Sequence, residues 1–92
     1  MRIKAIKCNA CNNIVYSRAE GDYRECACGS VGAFGGQAYT KYNAVGSSSH
    51  EKIIINLDIH LDDLYNDWKE MVDRYGLIKA NAQGAIQRHI VC

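Results

Sequence analysis

The second half of the chain changes its hydrophobic period near residue 60. Between Lys52 and His60, polar positions alternate with the apolar positions Ile53, Ile55, Leu57 and Ile59. Alternation with a period of two predicts a β-strand over residues 52–59 with one buried face. Ile54 lies on the opposite face, so the start of this strand is apolar on both sides.

After residue 60, apolar residues recur every three or four positions, which places them on one stripe of an α-helix. The stripe consists of Leu61, Leu64, Tyr65, Trp68, Met71, Val72 and Tyr75. Acidic residues in the first turn and Gly76 as a left-handed cap predict a helix over residues 61–75. Residues 77–92 carry apolar side chains at every fourth position, which favours a second helix, although Gly84 opposes it.

The first half of the chain predicts short strands separated by turns. Residues 2–7 predict a strand, and residues 13–17 and 23–25 predict a hairpin whose turn lies at residues 18–22. Four glycines between residues 29 and 36 predict bends. Residues 37–45 predict a third strand, and the glycine and serines at residues 46–49 predict a loop.

Composition and charge exclude several classes of protein. The chain has 92 residues, of which 48% are hydrophobic and 23% charged, which excludes a fully disordered chain. No apolar run reaches the roughly 20 residues of a membrane span, and the first eight residues hold no apolar signal core. We therefore expect a cytoplasmic protein without a membrane segment. The net charge is +1, so the chain lacks the strong positive charge that is typical of nucleic-acid-binding domains.

Five cysteines carry the clearest chemical signal. An odd number without a secretory signal disfavours a disulfide framework. Cys92 ends the sequence, and the other four form the two tight pairs Cys8-x-x-Cys11 and Cys26-x-Cys28. Asn12 and Gly29 each follow a pair and tolerate the left-handed backbone that turns amides toward the sulfurs. Two such pairs at the end of a hairpin provide a tetrahedral set of thiolates.

We expect one structural Zn²⁺, bound by Cys8, Cys11, Cys26 and Cys28, because zinc takes four thiolates at about 2.3 Å. One residue separates Cys26 from Cys28, whereas two residues usually separate paired zinc ligands, so this pair must chelate a metal through a tighter turn. An iron site, a redox disulfide pair and four buried thiols are the alternatives. The predicted fold class is α+β, with a zinc ribbon over residues 1–45 and a strand–helix extension over residues 46–92 packed on it as one compact domain.

Residues 1–42 resemble a group of small tailed-bacteriophage proteins. The resemblance rests on Ile14-Val15-Tyr16-Ser17-Arg18, on Asp22-Tyr23-Arg24-x-Cys26-x-Cys28-Gly29 and on Gly35-Gly36-x-x-Tyr39. Phe34 departs from the group, in which an acidic residue precedes the glycine pair. The resemblance implies a phage origin and a zinc-ribbon fold, and the group has no established activity that it would imply for this chain.

Two surfaces are candidates for binding a partner. The polar face of the predicted helix is acidic, and like charges at i,i+4 on it are not what helix stability alone would favour. The candidate residues for a protein partner are Asp63, Asp67, Glu70 and Trp68. A basic and aromatic face of the ribbon is the candidate for stacking bases and holding phosphates, with Tyr16, Arg18, Arg24 and Lys41. The alternatives are an ordinary solvated helix face and tyrosines that pack a thin core.

The preferred function is that of a non-enzymatic phage zinc-ribbon protein that binds a host protein and inhibits or redirects it, such as a defence or nucleic-acid enzyme. The alternative is a nucleic-acid-binding zinc ribbon that acts in phage transcription or replication. The sequence has no Ser/His/Asp arrangement, phosphate loop or carboxylate dyad, so we do not expect an enzyme. Surplus apolar surface over residues 53–75 predicts a homodimer. The alternative is a monomer in which residues 77–92 cover that surface.

Overall fold

The computed structural model describes residues 2–45, 49–72, 74–79 and 87–90, the last four by their backbone. Over these residues the elements in chain order are β1 (Arg2–Cys8), β2 (Ile14–Val15), β3 (Arg24–Glu25), β4 (Val31–Phe34), β5 (Lys41–Ala44), β6 (His50–Asn56), α1 (Leu61–Lys69), β7 (Leu77–Ile78) and β8 (Gln87–Ile90). Sheets accompanied by a short helix agree with the α+β class. Within the described ranges, no helix has the length and apolar character to cross a membrane.

The described strands form two antiparallel sheets. The larger sheet has the order β7-β2-β1-β6-β8, and the smaller has the order β3-β4-β5. Strand β1 pairs with β6 along its whole length, from Arg2 opposite Asn56 to Cys8 opposite His50. Residues from both halves of the chain therefore share one sheet.

Strand β1 has buried side chains on both faces. A different part of the molecule packs against each face. Ile3 and Ala5 belong to a core with Ile53, Ile55 and, from the helix, Leu64. Ile6 and Cys8 point the other way and form a second core, with Val15, Cys26, Val31 and Ala33. The larger sheet thus lies between the helix on one side and the smaller sheet on the other.

The predicted hairpin between residues 13–17 and 23–25 is wrong. Strand β2 pairs with β1 and β7, whereas β3 pairs with β4 in the other sheet. Ile14 and Val15 are both fully buried, and a strand that is apolar on both faces needs an interior position in a sheet.

Strand β4 lies where glycines predicted only bends. A Cβ on Gly32 would meet the Tyr23 hydroxyl at 2.7 Å and the Arg24 carbonyl oxygen at 3.0 Å. This glycine therefore permits a close approach between β3 and β4 rather than a turn. The predicted third strand over 37–45 is present only over Lys41–Ala44, as β5, which pairs with β4, and the residues before it form a turn.

The predicted strand over 52–59 is present as β6, with Ile53 and Ile55 buried and Ile54 half-buried. The helix begins as predicted but ends at Lys69 rather than at residue 75. Met71 takes the left-handed conformation, with φ of 56°. The helix closes with two hydrogen bonds, from the Met71 amide to the Trp68 carbonyl and from the Val72 amide to the Asp67 carbonyl. These bonds define a Schellman motif with methionine where glycine is usual.

Part of the predicted apolar stripe is exposed, both within the helix and after its end. Leu64 is fully buried, whereas Leu61, Tyr65, Met71 and Val72 are exposed. Gly76 does have a positive φ, of 102°, but it precedes β7 instead of capping the helix. Its carbonyl accepts a hydrogen bond from the Tyr16 amide at 2.9 Å.

The helix predicted over residues 77–92 is wrong where the structure describes that segment. Residues 77–78 pair with β2, and residues 87–90 pair with β6. Residues 80–86 and Cys92 lie outside the described residues. Strand β6 has β1 on one side and β8 on the other, so it is an interior strand of the larger sheet, and the homodimer over residues 53–75 stays a prediction.

Candidate metal centre

Two turns present the four clustered cysteines. Cys8 is the last residue of β1 and Cys11 lies in the connection to β2, whereas Cys26 and Cys28 lie in the connection between β3 and β4. In each turn the amide of the first cysteine donates to the carbonyl oxygen five residues later, which is Asn13 at 2.9 Å and Val31 at 3.0 Å. In each hairpin this hydrogen bond closes the turn that contains the cysteine pair.

A left-handed residue follows the second cysteine of each pair. Asn12 has φ of 60° and Gly29 has φ of 73°, so both predicted left-handed positions are confirmed. This reversal lets the backbone curl around the sulfurs. Amides of the turns then face them, the Asn13 amide lying toward Cys11 and the Ser30 amide toward Cys28. Such amide hydrogen bonds stabilise thiolate ligands.

The four sulfur atoms converge at one point. All four Sγ atoms lie within 4.8 Å of one another. The Sγ of Cys28 is 3.5 Å from that of Cys8 and 3.4 Å from that of Cys26. Metal–sulfur bonds of about 2.3 Å in a tetrahedron place sulfurs about 3.8 Å apart. The cluster Cys8, Cys11, Cys26 and Cys28, called the cysteine cluster below, is therefore positioned to bind a metal ion.

The cluster is asymmetric in exposure and in proton affinity. Cys8 is fully buried, and burial raises the pKa of its thiol to about 11. Cys28 is exposed, and hydrogen bonds from the Ser30 hydroxyl and amide lower its pKa to about 6. At neutral pH the outer thiol is therefore ionised first, and a cation is needed to hold the inner one as thiolate.

The four residues proposed for nucleic acid do not form one surface. Tyr16 and Arg18 are only 1% and 5% exposed. Arg24 is half-buried and its side chain packs against Gly76, whereas Lys41 is exposed. Tyr16 serves the core on the helix side, so it offers no ring on which a base can stack.

The four residues proposed for a protein partner are also placed differently. Asp63 and Glu70 are exposed, and the Asp63 carboxylate accepts a hydrogen bond from the His60 amide at 2.9 Å at the start of the helix. Trp68 is half-buried, and its ring lies against Gly21. The expectation that Asp67 belongs to an exposed acidic face is wrong, because it is 5% exposed.

Asp67 belongs to a buried ionic network that the sequence analysis did not predict. Arg18 donates to Asp67 through Nη1 at 2.7 Å, and to Asp22 through Nε at 2.8 Å and Nη2 at 3.1 Å. The Asp67 carboxylate also accepts from the amides of Arg74 and Tyr75, at 2.9 and 3.0 Å. The Arg18 network, meaning Arg18, Asp22 and Asp67, joins the turn at 18–22 to the helix and to the segment after it.

A buried serine extends the same region toward the glycine pair. The Ser17 hydroxyl donates toward the Asp22 carbonyl at 2.8 Å and accepts from the Gly36 amide at 2.9 Å. A Cβ on Gly36 would meet the Glu20 amide nitrogen at 3.0 Å, and its φ is 74°. The segment at residues 17–22 and the glycine pair Gly35-Gly36 thus contact each other here.

Residues 2–44 are similar to a family described as a domain of unknown function (DUF7695). The matched range contains both cysteine turns and all strands from β1 to β5. No curated protein and no solved structure matches the chain. The comparison therefore supports an uncharacterised domain family for the N-terminal half.

Proposed function

We propose that the protein is a non-enzymatic zinc-ribbon protein that binds another protein. The observation that carries the zinc assignment is the convergence of four thiols, with every sulfur within 4.8 Å of the others. Four thiolates satisfy zinc in the tetrahedral geometry of structural sites, and they leave no open position for a substrate. Zinc would therefore hold the two cysteine turns together rather than perform a reaction.

The thin architecture around the cluster supports a structural role for the metal. Strands β2 and β3 have two residues each, and such short strands bury little apolar surface. In small metal domains, the free energy of metal binding supplies much of the free energy of folding. The metal would therefore keep the N-terminal half presented as a fixed surface.

The partner that we propose is a host protein, which the phage protein would inhibit or redirect. The proposal of a phage origin rests on the resemblance of residues 1–42 to small tailed-phage proteins. Placement of the candidate residues favours a protein partner over a nucleic acid, because Tyr16 and Arg18 are withdrawn into the interior. We infer weak, non-specific nucleic-acid binding, since few phosphates would be neutralised.

Metal content tests the zinc proposal. We expect one zinc per chain by elemental analysis of the full-length protein, and the visible spectrum of tetrahedral cobalt thiolate after exchange with Co²⁺. Cys26→Ser removes a buried cluster sulfur, whereas Cys92→Ser removes the cysteine that belongs to neither sequence pair. Zinc lost in the first variant and kept in the second supports the site. A folded wild-type protein without metal overturns it.

Affinity capture tests the choice of partner. The zinc-loaded protein is incubated with bacterial lysate, with and without nuclease. A host protein retained after nuclease treatment, and bound again when purified, supports the protein-binding function. Submicromolar affinity for DNA or RNA at physiological salt favours the alternative instead, with Arg24 and Lys41 as the residues to substitute.

A further inference from the structure

A groove lies between the turn at residues 35–39 and the first half of α1. It encloses about 400 Å³. Three large side chains line it and remain open to solvent: Tyr39 is 78% exposed, Leu61 56% and Tyr65 49%. Single exposed apolar residues are ordinary on a protein surface, whereas several around one concavity mark an interaction site. This site, called the tyrosine groove, is separate from the cysteine cluster.

The charges around the tyrosine groove are mostly negative. Glu20 and Asp62 line it and are exposed. Arg18 is the basic residue among its described lining residues, and its guanidinium donates to both Asp22 and Asp67. Two carboxylates therefore outweigh the positive charge of Arg18. The groove combines apolar walls with a negative potential, which favours a ligand that is both apolar and cationic.

We propose that the tyrosine groove binds an extended segment of a partner protein in which a lysine or arginine stands next to an apolar residue. The cationic group would lie by Glu20 and Asp62 and against the tyrosine rings, which attract cations through their faces. The neighbouring apolar side chain would cover Leu61. This inference deepens the protein-binding function proposed above and rests on it.

The low walls favour a peptide over a small molecule. A small ligand is usually buried over most of its surface in an enclosed pocket. Tyr39 and Leu61 are each more than half exposed, so a compact ligand here would keep much of its surface in water. An extended chain instead places successive side chains on both walls, and the exposed tyrosines supply contact area at a low entropic cost.

Selection of random seven-residue peptides displayed on phage, with the zinc-loaded full chain as target, tests the proposal. We expect enriched peptides that carry lysine or arginine beside leucine, isoleucine, phenylalanine or tryptophan. The consensus peptide is then synthesised, together with a version in which the basic residue is glutamine. Fluorescence anisotropy should show at least about tenfold weaker binding of the glutamine version, which corresponds to the loss of one charge-assisted contact.

Matched variants assign the binding to the groove. Asp62→Lys and Tyr65→Ala should each weaken the consensus peptide about tenfold, and Asp62→Asn, which disturbs the helix start less, about threefold. The controls are Asp58→Lys, an exposed acid outside the groove, and Met71→Ala, which is 83% exposed elsewhere. Both should bind within about twofold of wild type, because neither touches the groove.

Several results would overturn the proposal. They are the absence of enriched peptides, enriched peptides without a basic residue, and equal affinity for wild type and Asp62→Lys. Light scattering provides a further outcome. A dimer dispersed by Leu61→Glu would show that a second copy occupies the groove. Zinc content and circular dichroism are measured for each variant. They distinguish loss of peptide binding at the groove from loss of the metal-bound fold, since the groove variants should keep one zinc.

Discussion

The cysteine cluster and the Arg18 network are two polar centres within a small protein, and they differ in what they join. The cluster joins two neighbouring turns, those after β1 and β3. The network joins a turn in the first half of the chain to a helix 49 residues away. With a metal bound, the first centre would join the two sheets at one end, whereas the second fixes the helix against the turn at 18–22.

The difference in chemistry predicts a difference in energy. A bound metal contributes binding free energy directly to folding. A buried ion network offsets most of its Coulomb attraction by the cost of desolvating its charges, so its main effect appears when one member is removed. The cluster should therefore govern whether the chain folds, and the network should govern how the helix is positioned.

Removal of the metal should have the largest effect. Structural zinc contributes about 10–16 kcal/mol in small metal domains, which matches or exceeds the total stability of about 5–15 kcal/mol of most domains. We expect a strong chelator, or Cys28→Ser, to unfold the chain as a whole, because β1 shares one sheet with β6. Circular dichroism and amide exchange would follow the loss, and re-added zinc should restore the spectrum after chelation. An unchanged spectrum without metal would contradict a structural role.

Asp67→Ala should destabilise the protein by about 3–5 kcal/mol, because it leaves Arg18 buried beside one carboxylate instead of two. It also deprives the Arg74 and Tyr75 amides of their acceptor. Urea unfolding of the zinc-loaded protein measures the change. Glu70→Ala changes an exposed acid directly after the same helix; it is the control and should cost less than about 0.5 kcal/mol. Equal costs would show that the network contributes nothing beyond surface charge.

The network should also make stability depend on pH. Burial opposes ionisation of Asp67, but the Arg18 guanidinium and the Tyr75 and Arg74 amides hold its pKa below the usual value. A carboxylate with a lowered folded-state pKa stabilises the fold above its unfolded pKa of about 3.9, and that stability is lost as pH falls through the folded value.

The measurable quantity is the difference in unfolding free energy between wild type and Asp67→Asn. It should stay constant from pH 7 to about pH 4 and shrink below it. Zinc content is measured in the same samples, and only samples that keep one zinc per chain are compared, because protonation of the thiolates removes metal from both proteins. A difference that grows as pH falls from 7 to 5, or that stays constant to below about pH 3, would mean that the Asp67 pKa is not lowered.

Met71→Gly should produce the smallest effect, a gain of about 0.5–1 kcal/mol. A left-handed conformation costs a residue with a Cβ about 1 kcal/mol or more and costs glycine almost nothing. Met71 has φ of 56° and is 83% exposed, so little packing is lost. The thermal midpoint measures the gain. Met71→Ala keeps the Cβ and should show none, and an equal gain in both variants would point to the side chain rather than the backbone.

The two centres also differ in how far the sequence predicts them. Paired cysteines with left-handed residues behind them are local features, so all four members of the cluster and both conformations follow from spacing. Arg18 and Asp67 are far apart in sequence, and their pairing depends on the fold. The like-charged pair Asp63 and Asp67 was the available signal. It reflects a counterion from another element, not an acidic surface.

The strands also show that local sequence patterns do not predict features that depend on the rest of the fold. The alternation around Ile53 and Ile55 predicts β6, because one face of that strand is buried. Strands β7 and β8 are strands because β2 and β6 offer them hydrogen-bonding edges. The four-residue repeat of residues 77–92 carries no information about those edges, and it therefore favoured a helix.

The pairing of β1 with β6 has a consequence for the order of folding. Cys8 lies opposite His50, 42 positions later, and Arg2 lies opposite Asn56, 54 positions later. Closing loops of that length is entropically costly and slows folding. The cysteine cluster closes a shorter span, between residues 8 and 28. A nascent chain that captures its metal once residue 28 has emerged therefore has β1 and β2 assembled as a template before β6 is synthesised, and refolding of the metal-loaded chain should outpace that of the stripped one.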